Sequence, residues 1–108
     1  MRIFKIFIVI LLFSFPLTIN LQADSEKMAL GLEVYNNKAA CGACHILKAA
    51  GSEGNIGPNL DSLKPLEEQV RAVVTEGLGV MPAFGEEGIL TSEEIDAVSH
   101  YVFTSTNK

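Results

Sequence analysis

The chain of 108 residues is poor in the side chains from which metal and redox sites are usually built. It has two cysteines, Cys41 and Cys44, and two histidines, His45 and His100. A structural zinc site needs four ligands, so these two thiols would need both imidazoles to complete one. A disulfide closing a two-residue loop would restrict the unfolded chain little. Basic residues are also scarce: 8 Lys and Arg stand against 13 Asp and Glu, a net charge of −5. Such a surface argues against nucleic acid. It suits a basic or neutral protein partner, or serves solubility alone. No strand pattern flanks the cysteines, as a thioredoxin-like redox motif would require. The glycines of GSEGNIG, residues 51–57, have neither dinucleotide-binding nor P-loop spacing. No nucleophile–base pair is evident, and there are no repeats.

One long apolar run is present, at the start. Arg2 and Lys5 precede Ile6–Phe15, and a more polar stretch follows to Ala23. This is the pattern of an export signal over residues 1–23, with cleavage after Ala23. Leu21 is not the small residue preferred three positions before a cleavage site. The alternative, an uncleaved anchor, conflicts with Lys5, Ser14, Pro16, Thr18 and Asn20, which interrupt the run. Residues 24–108 then form one domain, in which 6 basic residues face 13 acidic ones, a balance of −7. The mean hydropathy of +0.29 reflects largely the leader. A domain of about 85 residues buries only a modest core, and a large apolar cofactor would supply the missing apolar surface.

Residues 41–45 read Cys-Gly-Ala-Cys-His, the attachment pattern for c-type haem. Two thiols two residues apart on a helical turn reach two vinyl groups on one porphyrin edge, and each forms a thioether. The next residue, His45, turns its imidazole to the iron. Small Gly42 and Ala43 let the porphyrin edge approach the backbone.

Three further motifs follow the order of a known family. Gly31 with Tyr35 precedes the attachment motif; Gly57-Pro58-Asn59-Leu60 and Met81-Pro82-Ala83-Phe84 come after it, and a last helix carries Val98 and Tyr101. Over residues 28–104 the chain resembles a class I cytochrome c, similar to small bacterial and c6-like members and to cytochrome subunits of periplasmic dehydrogenases such as those oxidising sulfite. The resemblance implies an all-α fold of three to four helices around one haem c, bound covalently through Cys41 and Cys44. It implies iron ligation by His45 and Met81. Pro58 would accept a hydrogen bond from His45, and Leu60, Val80, Phe84 and Val98 would shield the porphyrin. One haem edge near the thioethers would stay exposed for electron transfer. The implied function is one-electron transport in the periplasm, as a free carrier or as a dedicated dehydrogenase subunit. Redox proteins would be donors and acceptors, and the membrane would be met only through the leader.

The rest of the chain reads as scaffold. A first helix over 25–37 is expected, capped by Asp24 or Ser25, with Met28, Leu32 and Tyr35 on one side. Gly in a helix interior costs about 1 kcal/mol, which suggests a close crossing at Gly31; the resemblance places the terminal helix there. A helix over 65–76 should start at Pro65 and bury Leu66, Val70, Val73 and Val74, with Arg71 paired to Glu67 on its solvated face. Thr91 and Glu94 form a capping box for the last helix. His100, the rival to Met81 as iron ligand, falls about 140° from Ile95 on the polar side. Ligand-sensing haem, thiol–disulfide and zinc readings stay open at this point.

Overall fold

The computed structural model describes residues 19–108. The first 18 residues of the expected leader lie outside the described residues. No described helix is long and apolar enough to cross a membrane. Four helices carry the fold: α1 (Ile19–Glu33), α2 (Leu60–Leu63), α3 (Glu67–Glu76) and α4 (Ser92–Thr106). A two-residue antiparallel ribbon, β1 (Ile46–Leu47) with β2 (Ser52–Glu53), is the one sheet among them, with Ile46 opposite Glu53. The helical expectation holds, and the ribbon adds to it.

The terminal helices α1 and α4 cross at Gly31. A β-carbon there would lie 2.4 Å from the Ala97 carbonyl oxygen and 2.5 Å from Tyr101 Cβ. The absent side chain therefore sets how closely the helices approach. One turn on, the rings of Tyr35 and Tyr101 meet with centroids 6.1 Å apart. Around this crossing Val34, Leu47, Leu60, Val74, Leu90, Ile95, Val98 and Val102 form the core.

Several boundaries differ from the sequence expectation. Helix α1 runs through Asp24 and Ser25, so neither caps it, and the Asp24 carboxylate bonds His100 instead. At Val34 the helix widens into one π-helical turn, Val34–Lys38, closed by Ala39 N–H donating to the Val34 carbonyl at 2.9 Å. Leu32 is exposed, because Tyr35 and Val34 take the core face. Helix α3 begins at Glu67, two residues after buried Pro65, and the Leu66 N–H donates to Gln69 Oε1 at 3.0 Å. Leu66 itself is exposed, while Val74 is buried.

The capping box of α4 forms as read: Glu94 N–H donates to Thr91 Oγ1 at 3.2 Å and Thr91 N–H to Glu94 Oε1 at 2.9 Å. The other oxygen of Glu94 pairs with Lys38, tying the α4 start to the turn after α1. The Lys38 ammonium and the Thr91 cap hold the Glu94 carboxyl below the ordinary carboxylate range. Arg71 does more than face solvent: its Nε donates to Asp96 Oδ1 at 2.7 Å and joins α3 to α4. His100 sits between two carboxylates, Glu67 at 2.8 Å and Asp24 at 2.7 Å, linking α1, α3 and α4.

Two expected outcomes follow from this packing. Gly31→Val forces a branched side chain into backbone and Cβ atoms that cannot swing away; it should cost about 3 kcal/mol. Thermal denaturation should then show Tm lowered by about 15 °C. Because the folded-state pKa of Glu94 is depressed, its contribution is present at pH above the unfolded-state value and is lost as pH falls toward the folded one. Glu94→Gln should therefore lower stability at neutral pH and flatten the acid side of the stability–pH curve in urea unfolding.

Candidate functional site

The attachment turn lies between the π-helical turn of α1 and the small ribbon. Ala40 enters it with φ of 48°, a left-handed backbone that costs a non-glycine residue about 1 kcal/mol. Cys41–Ala43 then form one 3-10 turn, and Cys44 and His45 N–H groups both point to the Cys41 carbonyl, at 3.2 and 3.0 Å. Both cysteines are free and half-buried. Burial pushes the Cys41 thiol up to about 11. A thiol–disulfide catalyst needs a depressed thiol pKa, so this cysteine has the opposite tuning. Among the described residues no group of three or more His, Cys, Asp or Glu is placed to hold a metal ion.

His45 has one defined tautomer. Its Nδ1 lies 2.7 Å from the Pro58 carbonyl oxygen. A carbonyl can only accept, so Nδ1 carries the proton and Nε2 keeps its lone pair for a metal. Pro58 has a fixed φ and offers no N–H, which steadies this acceptor. Gly57 lies flat against the imidazole; a β-carbon there would sit 2.6 Å from His45 Cε1. Gly57 N–H also donates to the Cys44 carbonyl at 2.7 Å, locking the two segments together.

Within residues 51–57, Ser52 and Gly54 shape the turn as well as Gly57. Ser52 Oγ bonds the Tyr35 hydroxyl at 2.8 Å, donates to the His45 carbonyl at 2.9 Å, and accepts from Leu47 N–H at 3.0 Å. Burial, the main cause, raises the Tyr35 hydroxyl to about 12, so it stays a neutral partner. Gly54 meets the turn so closely that a β-carbon would lie 2.6 Å from Ala43 C and Cys44 N. The excess of glycine in that stretch was the one available signal.

The other candidate residues border the same core. Leu60 is buried in it, and Cys41, Met81 and Phe84 pack against it from partly buried positions. Met81 lies in a loop turned by Gly77, φ 74°, and Gly79, φ 58°. The loop borders a cleft of about 670 Å³ lined by Glu76–Ala83 and Glu87; the cleft does not reach Cys41, Cys44 or His45. Val98 is buried, whereas Val80 is 89% exposed. It occupies the tip of a tight turn, where only Met81 faces the core. His100 is held by its two carboxylates away from any such role.

The residues present fit a covalently held haem. Two free thiols stand at the required spacing, an imidazole keeps a free Nε2, and a glycine leaves the ring face open. Five of the eight large apolar side chains exposed among the described residues, Ile56, Leu63, Leu66, Leu78 and Val80, fall between the histidine and methionine segments.

Comparison with known proteins agrees with this chemistry. A family profile described as "Cytochrome C oxidase, cbb3-type, subunit III" matches residues 26–102. Cytochrome c6 of Microcystis aeruginosa is 37% identical over 76 residues, 65% of this chain and 89% of the relative. Cytochrome c6 of a Picosynechococcus strain is 36% identical over 91 residues, 74% of each chain. Among solved structures, the c-type cytochrome SorU of Sinorhizobium meliloti superposes with a TM-score of 0.71 at 46% identity, over 78% of this chain and 95% of that one.

The contact between Gly57 and His45 is open to test. Gly57→Ala should displace the imidazole and break its bond to Pro58, a loss of about 1 kcal/mol. Proton NMR should show the His45 Nδ1–H resonance exchanging faster or shifted relative to the unsubstituted protein.

Proposed function

Because the chain belongs to the class I cytochrome c family, we propose that it is an exported one-electron carrier of the periplasm, with His45 and Met81 as the two protein ligands of its haem iron. When bound, haem c supplies an iron that exchanges one electron between its ferrous and ferric forms. The observation that supports the ligation is the His45 Nδ1–Pro58 bond, which in the neutral ring makes Nε2 the nitrogen with the lone pair, on the residue that follows two free thiols.

The residues divide the work. Cys41 and Cys44 hold the porphyrin edge by thioethers. The Pro58 carbonyl orients His45 and raises its basicity as a ligand. Met81 provides a soft, neutral sulfur that favours the reduced iron relative to a second histidine. Leu60 and Phe84 keep water from the porphyrin face. Held by His45 and Met81, the iron would have no open position for a substrate, so the group would supply electron transfer rather than catalysis. The leader over residues 1–23 accounts for export.

A second reading makes the chain the dedicated electron-accepting subunit of a periplasmic dehydrogenase, such as one oxidising sulfite. The higher identity to the c-type cytochrome SorU, 46% against 37% and 36% for the cytochromes c6, is compatible with this reading.

The test is the absorption spectrum of protein exported in a host that matures c-type haem. The reduced protein should give a sharp low-spin spectrum, and haem should survive acid-acetone extraction. The weak far-red band of sulfur on ferric iron should vanish in Met81→Ala and persist in His100→Ala, and reduced Met81→Ala should bind carbon monoxide. A colourless protein with alkylatable thiols would sink the reading.

A further inference from the structure

The Ser52 hydroxyl is used to its full valence. An alcohol has one proton and two lone pairs. The proton goes to the His45 carbonyl, 2.9 Å away. The Leu47 carbonyl, at 3.5 Å, is too distant to compete. One lone pair accepts from the Leu47 N–H at 3.0 Å. The other faces the Tyr35 hydroxyl at 2.8 Å. With the serine proton committed, the phenol is the donor. The order is therefore set: Tyr35 O–H to Ser52 O–H to the His45 carbonyl. Each bond in such a chain polarises the next, and both ends are anchored. Tyr35 is fully buried against Tyr101, and the His45 N–H is held by the Cys41 carbonyl at 3.0 Å.

The same two side chains close on the cysteine pair. A β-carbon on Gly42 would lie 2.6 Å from Ser52 Cβ and 3.5 Å from Tyr35 Cε1. Glycine between the cysteines is thus demanded by the wall behind the turn. The turn pressed on that wall is not relaxed. Ala40 enters it with φ of 48°, and a strained residue of this kind persists only where its surroundings over-determine it. The ring and the backbone of His45 are held by different groups. Pro58 holds the imidazole through Nδ1 at 2.7 Å, while Ser52 holds the peptide that carries it. A ring tied at Nδ1 alone is still free to tilt about that bond as its own backbone moves.

We propose that Ser52, oriented by the Tyr35 hydroxyl, is a positioning residue for His45: it carries the register of the α1–α4 crossing into the attachment turn and sets the orientation in which the imidazole is presented to the iron. The proposal rests on the electron-carrier reading and adds to it a residue outside the attachment and ligand motifs. Neither hydroxyl needs to touch the haem; both act through the His45 backbone. Groups that orient a metal-bound histidine also tune its strength as a ligand.

The orientation of an axial imidazole governs the spread of the haem-methyl resonances in a ferric low-spin protein. Proton NMR of the ferric holoprotein should show that spread altered in Ser52→Ala. A looser imidazole donates less to ferric iron, so the reduction potential should rise in the same variant. In the reduced protein the Leu47 amide, deprived of its acceptor, should exchange about fivefold faster. Tyr35→Phe removes one oxygen and keeps the ring against Tyr101. It should move the methyl resonances in the same direction by less, and it carries the test if Ser52→Ala does not fold. The double variant should match Ser52→Ala alone, because the two hydroxyls act in series. Ser99→Ala is the control. It removes another buried hydroxyl from a backbone carbonyl, that of Ile95 at 2.7 Å on α4, and should leave the methyl pattern and the potential as they were. A pattern unmoved in Ser52→Ala and Tyr35→Phe, or moved equally by Ser99→Ala, would overturn the proposal and leave the carrier reading intact. Additive shifts in the double variant would also overturn it. A colourless protein would overturn the carrier reading, and this proposal with it.

Discussion

The contact of Gly31 with the backbone of Ala97 is the constraint from which the rest of the structure follows. Helices packed through ordinary side chains lie 8–10 Å apart; here one helix rests directly on the other's carbonyl. That approach brings the Tyr35 and Tyr101 rings together at a tilt of 54° and buries Val34 and Val98. It also fixes where α1 ends and so where the attachment turn begins. The π-helical turn at Val34–Lys38 re-aims the chain at that point, and Lys38 is then held by Glu94 of the opposing helix.

From Tyr35 a short polar relay reaches the site. The phenol bonds Ser52, and Ser52 bonds the backbone of both His45 and Leu47. The helix crossing and His45 thus share one hydroxyl. Pro58 and Gly57 approach His45 from the other side, so the imidazole is fixed by backbone groups of two separate loops. This is a rigid arrangement for an electron carrier, in which reorganisation on oxidation should stay small.

Much of this was legible in the amino-acid order. The Cys-Gly-Ala-Cys-His run states its chemistry, because few other sites need two thiols and an imidazole at that spacing. Gly31 was readable because a helical glycine is costly, and the Thr91–Glu94 box because both partners are local. What escaped was non-local or geometric. Ser52 is one polar residue in a loop until Tyr35 is folded against it. Arg71 pairs with Glu67 within its own helix at 3.9 Å, as read, but its shorter bond goes to Asp96, 25 residues away on α4. His100 was rightly placed on the polar side of its helix, yet nothing in that periodicity shows two carboxylates converging on it from α1 and α3.

The pairing of the first and last helices also governs when the chain can close. Gly31 and Ala97 are 66 residues apart, and contacts of such separation form late and raise the barrier to folding. Until α4 has been made, α1 has no partner for its core face. Cys41 and Cys44 lie between those ends. They stay accessible for as long as the crossing is unmade, and once it forms Cys41 is partly buried against the core. The helix crossing thus acts as a clock for covalent maturation, keeping the thiols within reach of the attachment apparatus until the last helix arrives.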